Sequence, residues 1–164
     1  MQYKSMQLVV LFSCIFLAGC GFTLRGTVDL SPELQTLYLE SSVGESAILQ
    51  ELRRALIAGD INLLDTPRVD VFRLELGEEL SEERVLSVNS NARAGEYELS
   101  LSVPIQLSSG SALLLGPEVL SIARVYLADP NSAVAKAEER ELMEEEIRQE
   151  LVSQILRRLQ NLAL

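Results

Sequence analysis

Leu17-Ala18-Gly19-Cys20 is the stretch of this chain best equipped for a chemical step: small residues lead to a thiol that a lipid can acylate. Lys4 supplies a positive start, and Leu8 to Phe12 with Ile15 to Leu17 supply a short apolar segment, the pattern of a bacterial export signal. The run is too short for a transmembrane helix. The spacing therefore reads as a lipobox and predicts removal of residues 1–19, leaving a mature chain that begins at a lipid-modified Cys20.

Other reactive chemistry is scarce. The sequence has no histidine, which removes the usual general base of hydrolases and the commonest transition-metal ligand. Its second cysteine, Cys14, lies inside the predicted signal, so the folded part has no thiol to pair and must rely on packing. Ser100 and Ser102 sit on an alternating strand pattern, no Gly-x-Ser-x-Gly elbow occurs, and the carboxylates from Glu138 to Glu150 look like a solvated helix face. An enzyme is not expected, nor any catalytic or metal-binding residue, nor a cofactor beyond the covalent lipid on Cys20. Without residues 1–19 the chain has 13 basic and 24 acidic residues, a formal charge of −11 (13 − 24). Nucleic acid is excluded as a partner, because phosphate backbones demand clustered positive charge.

The remaining 145 residues (164 − 19) suit one domain with a single core. The sequence divides into a signal peptide (1–19), a lipidated N-terminus and tether (20–33) and one α+β domain (34–164). Leu34 to Glu40 reads as a first strand, with Leu37 and Leu39 on one face and Tyr38 on the other. From Ala47 to Ala58, Ile48, Leu49, Leu52 and Leu56 recur at helical spacing, and Gly59 stands where a C-cap glycine belongs. After the apolar run Ile61 to Leu64, Val69 to Leu76 reads as a strand and Val85 to Val88 as another. Asn89 to Gly95 reads as a hairpin connection.

The clearest strand signal runs from Tyr97 to Leu107, where Tyr97, Leu99, Leu101, Val103, Ile105 and Leu107 alternate with polar residues and Pro104. Pro104 cannot donate to a ladder, so a sheet edge or an interruption is expected there. Ser108 to Pro117 reads as a loop with an unusually apolar triplet, Leu113 to Leu115, which either folds onto the core or adds strand residues, or meets a partner or lipid. Glu118 to Leu127 reads as the last strand. Asp129-Pro130 reads as N-cap and first turn of a long helix to Leu162, whose Met143, Ile147, Leu151, Ile155 and Leu159 step by four, joined by Leu142, Val152 and Leu156. Glu144 and Arg148 are spaced to pair along it. The sum is a small, mostly antiparallel sheet of about four strands covered by two helices, the second one long.

This order of elements, hung on a lipidated cysteine, resembles the LptE family of lipopolysaccharide-assembly lipoproteins. The resemblance is carried by Gly19-Cys20-Gly21-Phe22-Thr23-Leu24-Arg25-Gly26, by Glu96-Tyr97 opening the long strand, and by Asp129-Pro130-Asn131 leading to Ala133-Val134-Ala135-Lys136. Thr23 stands where the family usually has histidine. The resemblance implies a lipoprotein of the outer membrane that faces the periplasm, plugs the LptD β-barrel as its heterodimeric partner, helps that barrel assemble and contacts lipopolysaccharide. Gly21 after the cysteine resembles outer-membrane sorting. Because lipopolysaccharide is anionic and the chain acidic, local cations must make that contact. Lys136, in the matching Ala-Val-Ala-Lys motif, and Arg93, in the hairpin, are the candidates. The alternative is an auxiliary lipoprotein of another envelope lipid or solute transport system.

Overall fold

A computed structural model describes residues 30–88, 94–127 and 132–162. Cys20, Thr23, Arg93 and the Asp129-Pro130 pair lie outside the described residues. Leu30 is already 3% exposed and packs in the core. A short 3-10 helix, Pro32–Gln35, buries Leu34 and leads into strand β1, Thr36–Ser41. Helix α1, Ala47–Ala58, starts at Ser46, whose hydroxyl accepts from the Leu49 N–H and so satisfies one of the orphan donors of the first turn. It ends at Gly59, but the left-handed residue is Asp60, with φ 60°. Strand β2, Asn62–Leu64, then returns parallel to β1, closing a βαβ unit.

Strand β3, Phe72–Leu76, also runs parallel to β1. It is shorter than Val69 to Leu76, and Val69 stands 86% exposed in the preceding turn. Strand β4, Leu80–Val88, is longer than the expected Val85 to Val88. β5, Ala94–Ser109, and β6, Ala112–Leu127, form a long antiparallel hairpin. The sheet is mixed and six-stranded, in the order β2-β1-β3-β5-β4, with β6 on the other side of β5.

Pro104 explains why one edge of β5 carries two strands in series. β3 pairs with Ile105 to Ser109 and β4 with Ala94 to Ser102, and between them the ladder breaks opposite the residue that has no N–H to offer. Gly77 bridges the gap by donating to the Pro104 carbonyl at 2.8 Å. A Cβ on Gly77 would meet the proline ring at 2.7 Å.

The expected loop from Ser108 to Pro117 is instead a tight turn at Gly110-Ser111, with the leucine triplet inside β6. Two register shifts in the β5–β6 ladder, between Ile105 and Ser108, accommodate extra residues in β6. Leu115 packs against the core, while Leu113 and Leu114 stay 52% and 36% exposed. In the rest of β6 the core face is Leu120, Ile122 and Tyr126, and Val119, Val125 and Leu127 face outward. Composition misleads there, because both faces of β6 carry aliphatic residues and only its pairing with the buried face of β5 settles which one points in.

Helix α2, Ala133–Gln160, starts three residues beyond the expected Pro130, with Ser132 as N-cap accepting from the Ala135 N–H. Its buried residues are Ile147, Leu151, Val152, Ile155 and Leu159. Leu142, grouped with them by spacing, is 61% exposed. These side chains meet Ile48, Leu49, Leu52 and Leu56 of α1 and the inward residues of β1, β3 and β5 in one apolar cluster. Each fully buried leucine or isoleucine there contributes about 1.5–3 kcal/mol.

Candidate functional site

The first half of α2, from Ala133 to Glu146, contains no fully buried residue, and polar contacts hold it to the sheet. Lys136, Arg140, Glu144 and Arg148 step by four along one face, a rise of about 6 Å per step. Glu83, Ser81 and Glu79 step back by two along β4 and the segment before it, about 6.6 Å per step. The near match of periods lets the helix and the strand zip together. Lys136 Nζ lies 2.6 Å from Glu83, Arg140 reaches Ser81 at 3.3 Å and Glu83 at 3.7 Å, and the Ser81 hydroxyl donates to Glu144 at 2.8 Å. Arg148 closes the series on Glu79 at 2.8 Å, with both side chains less than one-fifth exposed. Arg148 thus pairs with Glu79 across the fold, not with Glu144, whose helix partner is Arg140 at 2.8 Å.

At the open end of this zipper lies an aromatic floor. Tyr97 of β5 and Tyr126 of β6 face each other in register and stack with ring centroids 5.4 Å apart. Lys136 Nζ sits 3.8 Å above the Tyr97 ring, a cation–π contact, so the ammonium is held from below by a ring and from the side by a carboxylate. The Tyr126 hydroxyl donates to Glu83. Burial and the Glu83 carboxylate push the Tyr126 phenol well above its ordinary value. Burial alone would raise Glu83, but hydrogen bonds from Lys136 and Tyr126 and the charges of Lys136 and Arg140 hold it below its ordinary 4.5.

Of the two predicted cations, Lys136 is therefore a partnered group with a side chain 31% exposed. Arg93 lies outside the described residues, between the end of β4 and the start of β5. Both strands bring their Arg93-side ends to the Tyr97 end of the sheet, where Lys136 sits. Glu83, Tyr126 and Arg140 escaped the sequence reading. The signal available was the step-two run Glu79, Ser81, Glu83 facing a step-four run of opposite sign. It becomes informative only once the two elements are known to be neighbours.

Comparison with known proteins adds the family. The LptE lipopolysaccharide-assembly model matches residues 34–159. An LPS-assembly lipoprotein LptE from Yersinia enterocolitica is 30% identical over 97% of this chain and 77% of its own length. One from Pectobacterium atrosepticum is 28% identical over 97% of this chain and 86% of its own. Among solved structures, the rare lipoprotein B of Shewanella oneidensis superposes with a TM-score of 0.68 at 29% identity, covering 74% of this chain and 91% of that one. An uncharacterized lipoprotein B from Nitrosomonas europaea, at 23% identity and TM-score 0.65, covers 85% of this chain and 90% of that one and shares the fold. The matched segment starts and ends on fully buried core leucines, Leu34 and Leu159, and so spans the buried core apart from Leu30. The chain belongs to the LptE lipopolysaccharide-assembly family.

Proposed function

We propose that this chain is a lipoprotein of the outer membrane, anchored by acyl chains on Cys20 and facing the periplasm. There it plugs and helps assemble the LptD β-barrel and assists insertion of lipopolysaccharide into the outer leaflet, as a non-enzymatic component. The observation that carries this reading is the family match over residues 34–159, which hold all of the buried core but Leu30. The anchor is energetically adequate, since each buried methylene contributes roughly 0.8 kcal/mol and the several chains of a mature lipoprotein exceed the two-signal threshold for stable attachment. The outward face of β4 and β5 supports residence in a barrel. Glu98, Ser100, Ser102 and Gln106 of β5, with Glu82 and Arg84 of β4, present a polar surface, and barrel lumens are polar, while β6 adds the exposed Val119, Val125 and Leu127 beside it.

Lys136 with Arg93 remains the proposed lipopolysaccharide contact. An anionic headgroup displacing Glu83 would keep Lys136 charge-paired and stacked on Tyr97. Lys136→Glu is a poor probe, because it sets two carboxylates side by side; Lys136→Gln with Arg93→Gln removes the charges alone. The double variant is expected to bind lipopolysaccharide several-fold more weakly with an unchanged circular dichroism spectrum, and undiminished binding would remove both residues from the site. The wider reading is tested by depleting the protein in cells. Surface lipopolysaccharide and mature barrel should fall together, and persistence of both would refute it.

A further inference from the structure

Among the described residues three strands are paired on one side only: β2, β4 and β6. A bare edge is a row of unpaired N–H and C=O groups that can accept another strand, and folds guard such edges by brevity, charge or bulges. β2 is three residues long. β4 carries Glu82, Glu83 and Arg84 in succession, and two register shifts between Val85 and Val88. β6 lacks these guards over most of its length.

From Glu118 to Leu127, β6 pairs with β5 without a shift, an unbroken run of ten residues and about 33 Å. The run contains no proline or glycine, and Gly116, Pro117 and the register shifts all precede it. Its two charges do not guard the edge, because both fold back onto helix α2: Glu118 pairs with Arg158, and Arg124 with Glu150. The side chains tell the same story. Leu120, Ile122 and Tyr126 pack inward, yet Val119, Val125 and Leu127 on the outward face are aliphatic too, at 64%, 55% and 72% exposed. A strand apolar on both faces is the pattern of one covered on both. Beside this run the outward face of β5 turns polar, with Glu96, Glu98, Ser100 and Ser102, so the uncovered aliphatic band is one strand wide and follows the edge. That footprint fits another strand and not a flat surface.

The occupant must bring free backbone groups of its own. A closed barrel wall has none to offer, since closure pairs every strand with its neighbours. A second copy brings a mature chain of formal charge −11 (13 − 24) against one of the same sign, and the two repel. We propose that β6, from Glu118 to Leu127, takes up an extended segment of the barrel polypeptide that is folded into the lumen and not built into the wall. The segment becomes a seventh strand of the six-stranded sheet. Its main chain completes the β6 edge, and its alternate side chains are apolar and lie beside Val119, Val125 and Leu127. This rests on the barrel-plug reading, to which it adds the docking surface and the shape of the partner segment.

The test places photoreactive p-benzoylphenylalanine at Val119 or at Val125 of the tagged full-length protein in its own cells. Both side chains point outward, so the larger group enters no packed core. Leu80, half-exposed on the same face at the β4 edge, is the control position. Recovery of barrel protein with the chain before irradiation reports the plug reading, and mass spectrometry of the crosslinked peptides reports the proposal. Strand pairing predicts that the probes at Val119 and Val125 attach to one barrel segment outside the wall strands, at points about six residues apart (125 − 119), and that the probe at Leu80 does not reach it. With barrel recovered, crosslinks scattered over wall strands, attachment to a second copy of the chain, or no crosslink from either valine would overturn the proposal and leave the plug reading standing. If no barrel is recovered, both fall together.

Discussion

Glu83 is the node on which the smallest-scale consequences turn. Its folded-state acidity is stronger than in an unfolded chain, so the stability it contributes is fully present above its ordinary 4.5 and is lost as pH falls through its lowered value. Acidification through that window should free Lys136 and Arg140 and loosen the Tyr97–Tyr126 stack, read as a change in near-ultraviolet circular dichroism. Glu83→Gln should flatten the transition, and an unaltered transition would remove Glu83 as its cause. Gly116 makes a second residue-level case. Its φ of 77° lies in the left-handed region, and a Cβ there would stand 2.4 Å from the Ile105 carbonyl oxygen. Gly116→Ala should cost about 2–4 kcal/mol in urea denaturation, whereas Gly95→Ala, with open space around it, should cost far less. At this scale the sequence was partly legible. The lipobox was read from local pattern and lies outside the described residues, and Lys136 was named through the family resemblance; its partners could not be named, because Glu83 lies 53 positions away and only the strand–helix zipper brings it close.

Helix α2 is two structures in one. Its second half is an amphipathic core helix, and its first half is a charged rod strapped to β4. Spacing by four foretold the second half through Ile147, Leu151, Ile155 and Leu159, and then overreached at Leu142, because periodicity alone does not reveal where the sheet beneath a helix turns polar. Leu151→Ala should destabilise the protein by about 2–5 kcal/mol, and Leu142→Ala should stay within about 0.5 kcal/mol. Raising the salt concentration should speed amide exchange in residues 133–146 while leaving 147–160 unchanged, since screening weakens ion pairs and not apolar burial. Equal protection in both halves at all salt concentrations would contradict the division. β5 was the most legible strand because its alternation is unbroken. β4 was half missed, since the side chains it turns toward α2, Ser81 and Glu83, are polar and carry no apolar rhythm.

At the scale of the molecule, the α+β class, the two helices and the central strand follow from hydrophobic periodicity. The six-stranded mixed order does not, because β2 is three residues long and β3 and β4 share one edge of β5 through the break at Pro104. The resulting body has an ion-paired, aromatic-floored cluster at one end and a charge-free hairpin tip at the other, joined by an outward face that sets polar residues of β4 and β5 beside the exposed Val119, Val125 and Leu127 of β6. The most direct measurement is purification of the tagged full-length protein from detergent-solubilised envelopes, with identification of whatever accompanies it in equal amount. The account predicts one large outer-membrane β-barrel. An inner-membrane ATPase complex in its place, or no stoichiometric companion, would contradict it.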